Sequence, residues 1–304
     1  MRKSASLAAL LTKPSTSVAS FTKKILSTIV ALVVCLVTQA GRVQTDSIRS
    51  QVLGEWVKYN VYVPDGFDRN TSAHYPVVYL LHGFTDDYNA WRDKGQMQTV
   101  ADELIESGES VPMVVVMPNA GGPNTYETWN GYFNMPGWRY EDFFFQELMP
   151  QVEQKYRAGG SKDQRAVMGL SMGGGGSTVY GQRHPDLFSS VYAMSAWLDS
   201  DGGRRRKEGE DDKVFLASQA VRQYSALDYV RNADDNTVQQ LRSVKWFFDC
   251  GDDDFLFDLN VQIHQLMRQK RIKSELRIRN GQHNWEYWHQ AIRMALPFVS
   301  RNFH

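Results

Sequence analysis

Strand-like and helix-like hydrophobic patterns alternate along the chain. Between Glu55 and Val63 apolar residues take every second position, and Pro64-Asp65-Gly66 follows, which predicts an edge or antiparallel strand ended by a turn. Four later runs, at 77–81, 113–117, 166–168 and 191–194, are apolar throughout. Unbroken apolar runs are typical of strands that helices cover on both faces, as in a parallel sheet.

Two segments outside these runs carry apolar residues at helical spacing. They are marked by Phe144, Leu148, Val152 and Tyr156, and by Leu259, Ile263, Leu266 and Met267. Pro150 should kink or split the first helix, because its ring removes a backbone N–H and clashes with the preceding turn. The alternation predicts right-handed βαβ units, and hence an α/β fold with a mostly parallel central sheet flanked by helices.

The first forty residues have the layout of a secretory signal. Lys23-Lys24 precede an apolar run at 25–37, and Thr38-Gln39-Ala40 ends in a small residue suited to cleavage. The competing interpretation, a membrane anchor, needs about 20 apolar residues. We therefore expect residues 1–40 to be a signal peptide and residues 41–304 to be a single exported domain, periplasmic or extracellular, without stable membrane insertion.

Composition narrows the classes of function. Hydrophobic residues make up 42% of the 304, enough for a sizeable core. Lys+Arg and Asp+Glu both number 34, and no stretch has the one-sided basic charge of a nucleic-acid groove, so nucleic acid is not an expected partner. The charged, glycine-containing segment 199–212 is predicted to be a surface loop. Cys35 lies in the expected signal, which leaves Cys250 as a buried small hydrophobe without a disulfide partner.

The sharpest chemical signal is a serine flanked by glycines. The segment Gly169-Leu170-Ser171-Met172-Gly173-Gly174 directly follows the apolar run at 166–168. A serine at a tight strand-to-helix turn has a strained backbone, and glycines two residues before and after it avoid clashes. This arrangement, a nucleophile elbow, predicts Ser171 as a nucleophile. The following helix would direct backbone N–H groups at a developing oxyanion.

A serine hydroxyl needs a base, and His283 is the best-placed histidine. It lies in a turn, at 280–285, after the strand-like segment 274–278, so its side chain can project from the carboxyl edge of the sheet. His264 falls within a helical pattern and His184 precedes a proline, which favours structural or solvent-facing roles for both.

The acid should end a strand between the serine and the histidine, following the chain order serine, acid, histidine. The strand-like segment 245–250 leads into Asp252, Asp253 and Asp254, and all three suit this position. No histidine or cysteine cluster stands beside them, which disfavours a metal site.

A second loop after a strand predicts the oxyanion hole. Leu80-Leu81 is followed by His82-Gly83-Phe84, and the backbone N–H groups of Phe84 and Met172 would together bind the oxyanion. His82 itself is expected to be a hydrogen-bonded structural residue that holds this loop.

These motifs, in this order, resemble the esterase D family of α/β-hydrolases, which includes feruloyl esterases and enterochelin-esterase-like proteins. The resemblance covers about 53–298 and includes Cys250-Gly251 before the acid and Gly281-Gln282-His283 followed by Trp288. In similar feruloyl esterases the acid is the fourth residue of a Gly-x-x-Asp turn, which implies Asp254 here.

The segment 118–138 is rich in aromatic residues and asparagines, a composition suited to stacking on aromatic acids or sugars. Trp129 and Tyr126 are the candidate substrate-binding residues, although packing of the same rings onto the core explains the pattern equally well.

The expected function is therefore that of a serine carboxylesterase with a Ser171–His283–Asp254 triad, which needs neither cofactor nor metal. The resemblance implies feruloyl or acetyl esters on plant polysaccharides or oligosaccharides as substrates. The alternatives are an acyltransferase that uses the same site, and a catalytically idle carbohydrate-binding protein with this fold.

Overall fold

In a computed structural model, which describes residues 40–201 and 213–304, an eight-stranded sheet forms the centre of the fold. Its strands are β1 (Arg42–Arg49), β2 (Trp56–Val63), β3 (Val77–Leu81), β4 (Val114–Pro118), β7 (Arg165–Leu170), β8 (Ser190–Met194), β9 (Lys245–Gly251) and β10 (Ser274–Arg279). Their order is β1-β2-β4-β3-β7-β8-β9-β10. A separate two-stranded sheet pairs β5 (Asn134–Met135) with β6 (Trp138–Arg139).

All neighbouring strands from β4 to β10 run parallel, whereas β2 is antiparallel to both β1 and β4. The predicted mostly parallel sheet and the antiparallel strand at 57–63 are therefore confirmed. Because parallel strands end at the same edge, the loops after β3, β4, β7, β8, β9 and β10 all lie along the carboxyl edge of the sheet.

Helices cover both faces of the sheet. They are α1 (Ala90–Asp93), α2 (Met97–Glu106), α3 (Tyr140–Phe143), α4 (Met149–Tyr156), α5 (Met172–Arg183), α6 (Lys213–Gln223), α7 (Ala226–Arg231), α8 (Asp235–Arg242), α9 (Phe257–Gln269) and α10 (Trp285–Ser300). Residues from α2 and α10 join one hydrophobic cluster, and residues from α4, α5, α8 and α9 join the other. In β3, Val78 faces the first cluster and Val77 the second, as expected for alternating side chains.

The predicted break at Pro150 is present. A π-helical turn, Phe144–Leu148, separates α3 from α4, and Pro150 lies in the first turn of α4. A proline is tolerated there because the first N–H groups of a helix have no intrahelical acceptor. The wider turn before it accommodates the ring and keeps Phe144 and Leu148 fully buried.

The proposed signal peptide at 1–40 lies almost wholly outside the described residues, and so does most of the loop at 199–212. Strand β1 and the helices α6, α7 and α8 were not anticipated. Cys250 is buried in β9, as expected, and burial raises the pKa of its thiol. Within residues 40–201 and 213–304, no helix has the length and apolar character to cross a membrane.

Candidate active site

Ser171 lies in the sharp turn between β7 and α5. Its backbone has φ 53° and ψ −116°. Residues with a side chain rarely adopt this conformation, so the turn is strained. The turn is held from two sides, because the Ser171 N–H donates to the Met194 carbonyl (2.9 Å) and the Ser171 carbonyl accepts from the Trp197 N–H (2.9 Å).

The two glycines that flank the serine are required by close packing. A Cβ on Gly169 would lie 2.6 Å from the backbone of Gly173, and a Cβ on Gly173 would lie 2.5 Å from the Leu81 carbonyl oxygen. Both distances are shorter than real carbon contacts, and the atoms met are backbone. The elbow can therefore pack against the end of β3 only with glycine at both positions.

The structure brings the three proposed triad residues together. The His283 Nε2 lies 2.9 Å from the Ser171 Oγ, and the His283 Nδ1 lies 2.9 and 2.8 Å from the two carboxylate oxygens of Asp254. Since a carboxylate only accepts, Nδ1–H donates to Asp254 and Nε2 is left to accept the serine proton. This is the tautomer that general-base chemistry needs.

Asp254 is held as a charged acceptor. Its side chain is fully buried, and its Oδ1 also accepts from the Leu256 N–H (2.8 Å). Burial alone would raise the pKa of Asp254, but the hydrogen bonds that its carboxylate accepts from His283 and from the Leu256 N–H outweigh burial and leave the pKa below its usual value.

The neighbouring aspartates lie differently. Asp252 and Asp253 are exposed, and the Asp252 Oδ1 accepts from the Gly281 N–H (2.9 Å) in the loop that carries His283. The other histidines considered are engaged elsewhere: His264 with the Ser274 hydroxyl (2.9 Å) and His184 with Glu141 (3.4 Å).

The loop after β3 packs beside the elbow. A Cβ built on Gly83 would lie 3.7 Å from the Ser171 Cβ, so the segment that contains Phe84 lies beside the serine. The Phe84 N–H donates to no backbone acceptor among the described residues, and Met172 is the first residue of α5, where N–H groups lack intrahelical acceptors. Neither of the two N–H groups proposed for the oxyanion hole therefore donates to a backbone carbonyl among the described residues.

His82 fixes this loop to the one after β4. Its Nδ1 donates to the Gly83 carbonyl (2.8 Å) and its Nε2 accepts from the Ala120 N–H (3.0 Å), an arrangement that requires a neutral imidazole. Burial lowers its pKa, although the Gly83 carbonyl and nearby Asp86 oppose that effect. Asn130 adds a second link, because its Nδ2 donates to the Phe84 carbonyl.

The aromatic segment 118–138 serves packing more than the sequence suggested. Tyr132, Phe133 and Trp138 are buried in the core. Trp129 is half-buried and stacks on Trp138, with centroids 6.4 Å apart and planes 9° from parallel, whereas Tyr126 is 70% exposed. Of the two candidate substrate-binding residues, Tyr126 is the freer to contact a ligand.

Three aromatic residues near the triad were missed. Trp197 contacts the Phe84 ring edge-on at 5.8 Å, beside the Ser171 carbonyl. Trp288, noted only as part of a motif, contacts His283 edge-on at 4.9 Å and donates its indole N–H to the Ser195 hydroxyl (3.0 Å). Phe255 lies 4.4 Å from the His283 ring. Sequence gives no local signal for the contacts of Trp197 and Phe255, because each joins loops that follow different strands.

The fold and the Ser–His–Asp arrangement are those of an α/β-hydrolase. The sequence profile of the family described as putative esterase matches residues 50–299, and the chain belongs to that family.

Relatives carry esterase and acyltransferase names. A solved structure of a ferulic acid esterase is 46% identical, has a TM-score of 0.84 and covers 87% of this chain and 99% of that one. An endo-1,4-beta-xylanase/feruloyl esterase of Xylanibacter ruminicola is 29% identical over 49% of this chain, which spans only 20% of that protein's length. A diacylglycerol acyltransferase/mycolyltransferase of Mycobacterium leprae is 34% identical over 42% of this chain and 38% of that protein.

Proposed function

We propose that this protein is a serine carboxylesterase in which Ser171 is the nucleophile, His283 the general base and Asp254 the residue that orients the base. The observation that carries the proposal is the continuous chain of contacts from Asp254 through His283 to the Ser171 Oγ, with distances of 2.8 to 2.9 Å. A serine hydroxyl in such a chain can lose its proton as it attacks a carbonyl.

In the acylation step, the Ser171 Oγ forms a bond to the ester carbonyl carbon while its proton passes to the His283 Nε2. The carbonyl oxygen becomes an oxyanion, which the N–H groups of Phe84 and Met172 would bind; each such donor is worth about 3 kcal/mol in the transition state. The bond to the alcohol oxygen then breaks, and His283 returns the proton to that oxygen. The alcohol leaves and the acyl group stays on Ser171.

Deacylation repeats the chemistry with water. His283 takes a proton from a water molecule, whose oxygen attacks the acyl carbon, and the Ser171 Oγ leaves with the proton from His283. Asp254 stabilises the imidazolium in both steps, since its depressed pKa keeps the carboxylate charged at neutral pH.

The substrates we propose are feruloyl or acetyl esters on plant polysaccharides or their oligosaccharides. Support comes from the 46% identical ferulic acid esterase and from the aromatic side chains around the triad. Tyr126 and Trp129 are proposed to contact the aromatic or sugar part of the substrate. Export through the signal-like segment at 1–40 would bring the enzyme to such polymers.

Acyl transfer is the second candidate function, because a relative with 34% identity over 42% of this chain is named an acyltransferase. The same acyl-enzyme would form, and an alcohol would replace water in the second step. An idle carbohydrate-binding protein is less well supported, since binding alone gives no reason for a strained serine within hydrogen-bond distance of a histidine.

A panel of esters tests the proposal: p-nitrophenyl acetate, p-nitrophenyl butyrate, methyl ferulate and acetylated xylo-oligosaccharide. An esterase of the proposed kind hydrolyses methyl ferulate or the acetylated oligosaccharide, and Ser171→Ala abolishes the activity. Product analysis with an added acceptor sugar separates hydrolysis from transfer. The wild-type protein failing on all four esters would contradict the proposed function.

A further inference from the structure

Phe255 has an unusual position for a large apolar side chain. It is 77% exposed, the most exposed large hydrophobic side chain among the described residues, yet its ring centroid lies 4.4 Å from that of His283 with the planes tilted by 47°. Single exposed apolar residues are common on protein surfaces and need no explanation. The contact with the proposed base distinguishes this one.

The turn that carries Phe255 fixes its ring in this position. On one side, Asp254 is buried and accepts from the Leu256 N–H through Oδ1 (2.8 Å) and from the Phe257 N–H through its carbonyl (2.9 Å). On the other side, Leu256 is buried. With both neighbours directed inward, the Phe255 side chain is held outward beside His283.

The chemistry of acylation says which part of the substrate lies there. His283 must return its proton to the alcohol oxygen, so the departing alcohol has to be next to the His283 Nε2 when the ester bond breaks. Trp288, which is buried, borders the same imidazole edge-on. Of the two aromatic side chains that contact this imidazole among the described residues, Phe255 is the exposed one.

A second aromatic group lies beside the serine. The oxyanion donors belong to Phe84 and Met172, and the Phe84 ring meets Trp197 edge-on beside Ser171. This aromatic pair borders the serine, whereas Phe255 borders the histidine. The two sides of a bound ester thus meet different aromatic groups.

We propose that Phe255 forms a leaving-group subsite that binds the sugar of the alcohol released on acylation. A pyranose or furanose ring presents a face of C–H groups that packs on an aromatic ring, whereas a methyl alcohol covers little of it. The subsite rests on the proposed function and adds to it a preference for esters whose alcohol is a saccharide.

Two substrates with the same acyl group and different alcohols test the subsite: methyl ferulate and a feruloylated arabino-oligosaccharide. The measured quantity is the ratio of their kcat/KM values, oligosaccharide over methyl ester. In Phe255→Ala this ratio should fall about tenfold, which corresponds to about 1.4 kcal/mol. In Phe255→Tyr, which keeps the ring, the ratio should stay within about twofold of wild type.

Trp56→Ala is the matched control. Trp56 is 65% exposed at the start of β2, three strands from β7 in the sheet, so its loss should leave the ratio unaltered. The rate at which a small fluorophosphonate labels Ser171 reports on the orientation of His283 without any sugar.

An unaltered ratio in Phe255→Ala overturns the subsite while the proposed function stands. A tenfold slower labelling rate in Phe255→Ala also overturns it, because the ring would then act by positioning His283. Wild-type protein that hydrolyses neither feruloyl ester would overturn the subsite, and failure on the acetyl esters as well would overturn the proposed function.

Discussion

Replacing Asp254 with asparagine should separate the role of a charged carboxylate from that of its shape. Both Asp254 oxygens lie within 2.9 Å of the His283 Nδ1, and an asparagine can offer one neutral oxygen there, or an NH₂ group that favours the wrong tautomer. Loss of the charge that stabilises the imidazolium should lower kcat by about 10³- to 10⁴-fold, or about 4 to 5.5 kcal/mol.

Asp252→Asn and Asp253→Asn are the matched controls for this prediction. Both side chains are exposed, and an asparagine at 252 can still accept from the Gly281 N–H, so each should reduce kcat by no more than about threefold. Steady-state kinetics on p-nitrophenyl acetate measure all three variants. Equal modest losses at the three positions would remove Asp254 from the proposed triad.

The same substitution has a pH-dependent effect on stability. Because the pKa of Asp254 lies below its ordinary value of 3.8, the carboxylate stabilises the folded protein above that pH, and this contribution is lost as the pH falls through the lowered pKa. The difference in melting temperature between wild type and Asp254→Asn should therefore be largest at neutral pH and shrink below pH 4. A difference that grew in acid would refute the assignment of Asp254 as a charged acceptor.

Three further predictions concern the surrounding loops. The melting temperature of wild type should fall as the pH falls below 6.5, partly because buried His82 stays neutral while the same histidine in the unfolded chain binds a proton. In His82→Gln the melting temperature should depend less on pH over this range. Gly173→Ala should destabilise by about 2 kcal/mol or more and abolish turnover, whereas Gly122→Ala, whose Cβ would lie 3.4 Å from its nearest neighbour, should be tolerated in thermal denaturation. Tyr126→Ala should reduce kcat/KM several-fold on methyl ferulate relative to p-nitrophenyl acetate without changing the melting temperature, because Tyr126 is exposed. Trp129→Ala should lower the melting temperature as well, because Trp129 stacks on Trp138.

Local patterns in the sequence predicted much of the sheet. The unbroken apolar runs became strands because burial on both faces leaves no place for polar residues, and the alternation at 57–63 became the antiparallel strand β2. Strand β1 was not predicted, because six of its eight residues are polar or charged and its apolar residues therefore show no periodic pattern. It forms a strand because it pairs with β2 along the full length of both strands, and β1 alone gives no sign of that pairing.

The candidate site was predictable to the extent that its signals are local. Ser171 could be identified from the close-packed glycines around it, and His283 from its turn after a strand. The choice of Asp254 over Asp252 and Asp253 rested on a family resemblance, since all three share one turn and one composition. The structure separates them by burial, with Asp254 inward and the other two exposed.

The aromatic surroundings could not be predicted. Phe255 follows an aspartate in a charged turn and looks like any exposed residue until the loop after β10 brings His283 against it. Trp197 likewise meets Phe84 across two loops that lie far apart in the chain. Conversely, most of the rings in 118–138 pack the core, a role that composition alone does not distinguish from ligand stacking.

Covalent labelling tests the central claim most directly. The protein is treated with a fluorophosphonate, which phosphonylates activated serines, and the modified peptide is identified by mass spectrometry. The account predicts one equivalent of label on Ser171, no labelling in Ser171→Ala, and labelling slowed by about 10³-fold or more in His283→Ala. Stoichiometric label on another serine, or undiminished labelling of Ser171→Ala, would contradict it.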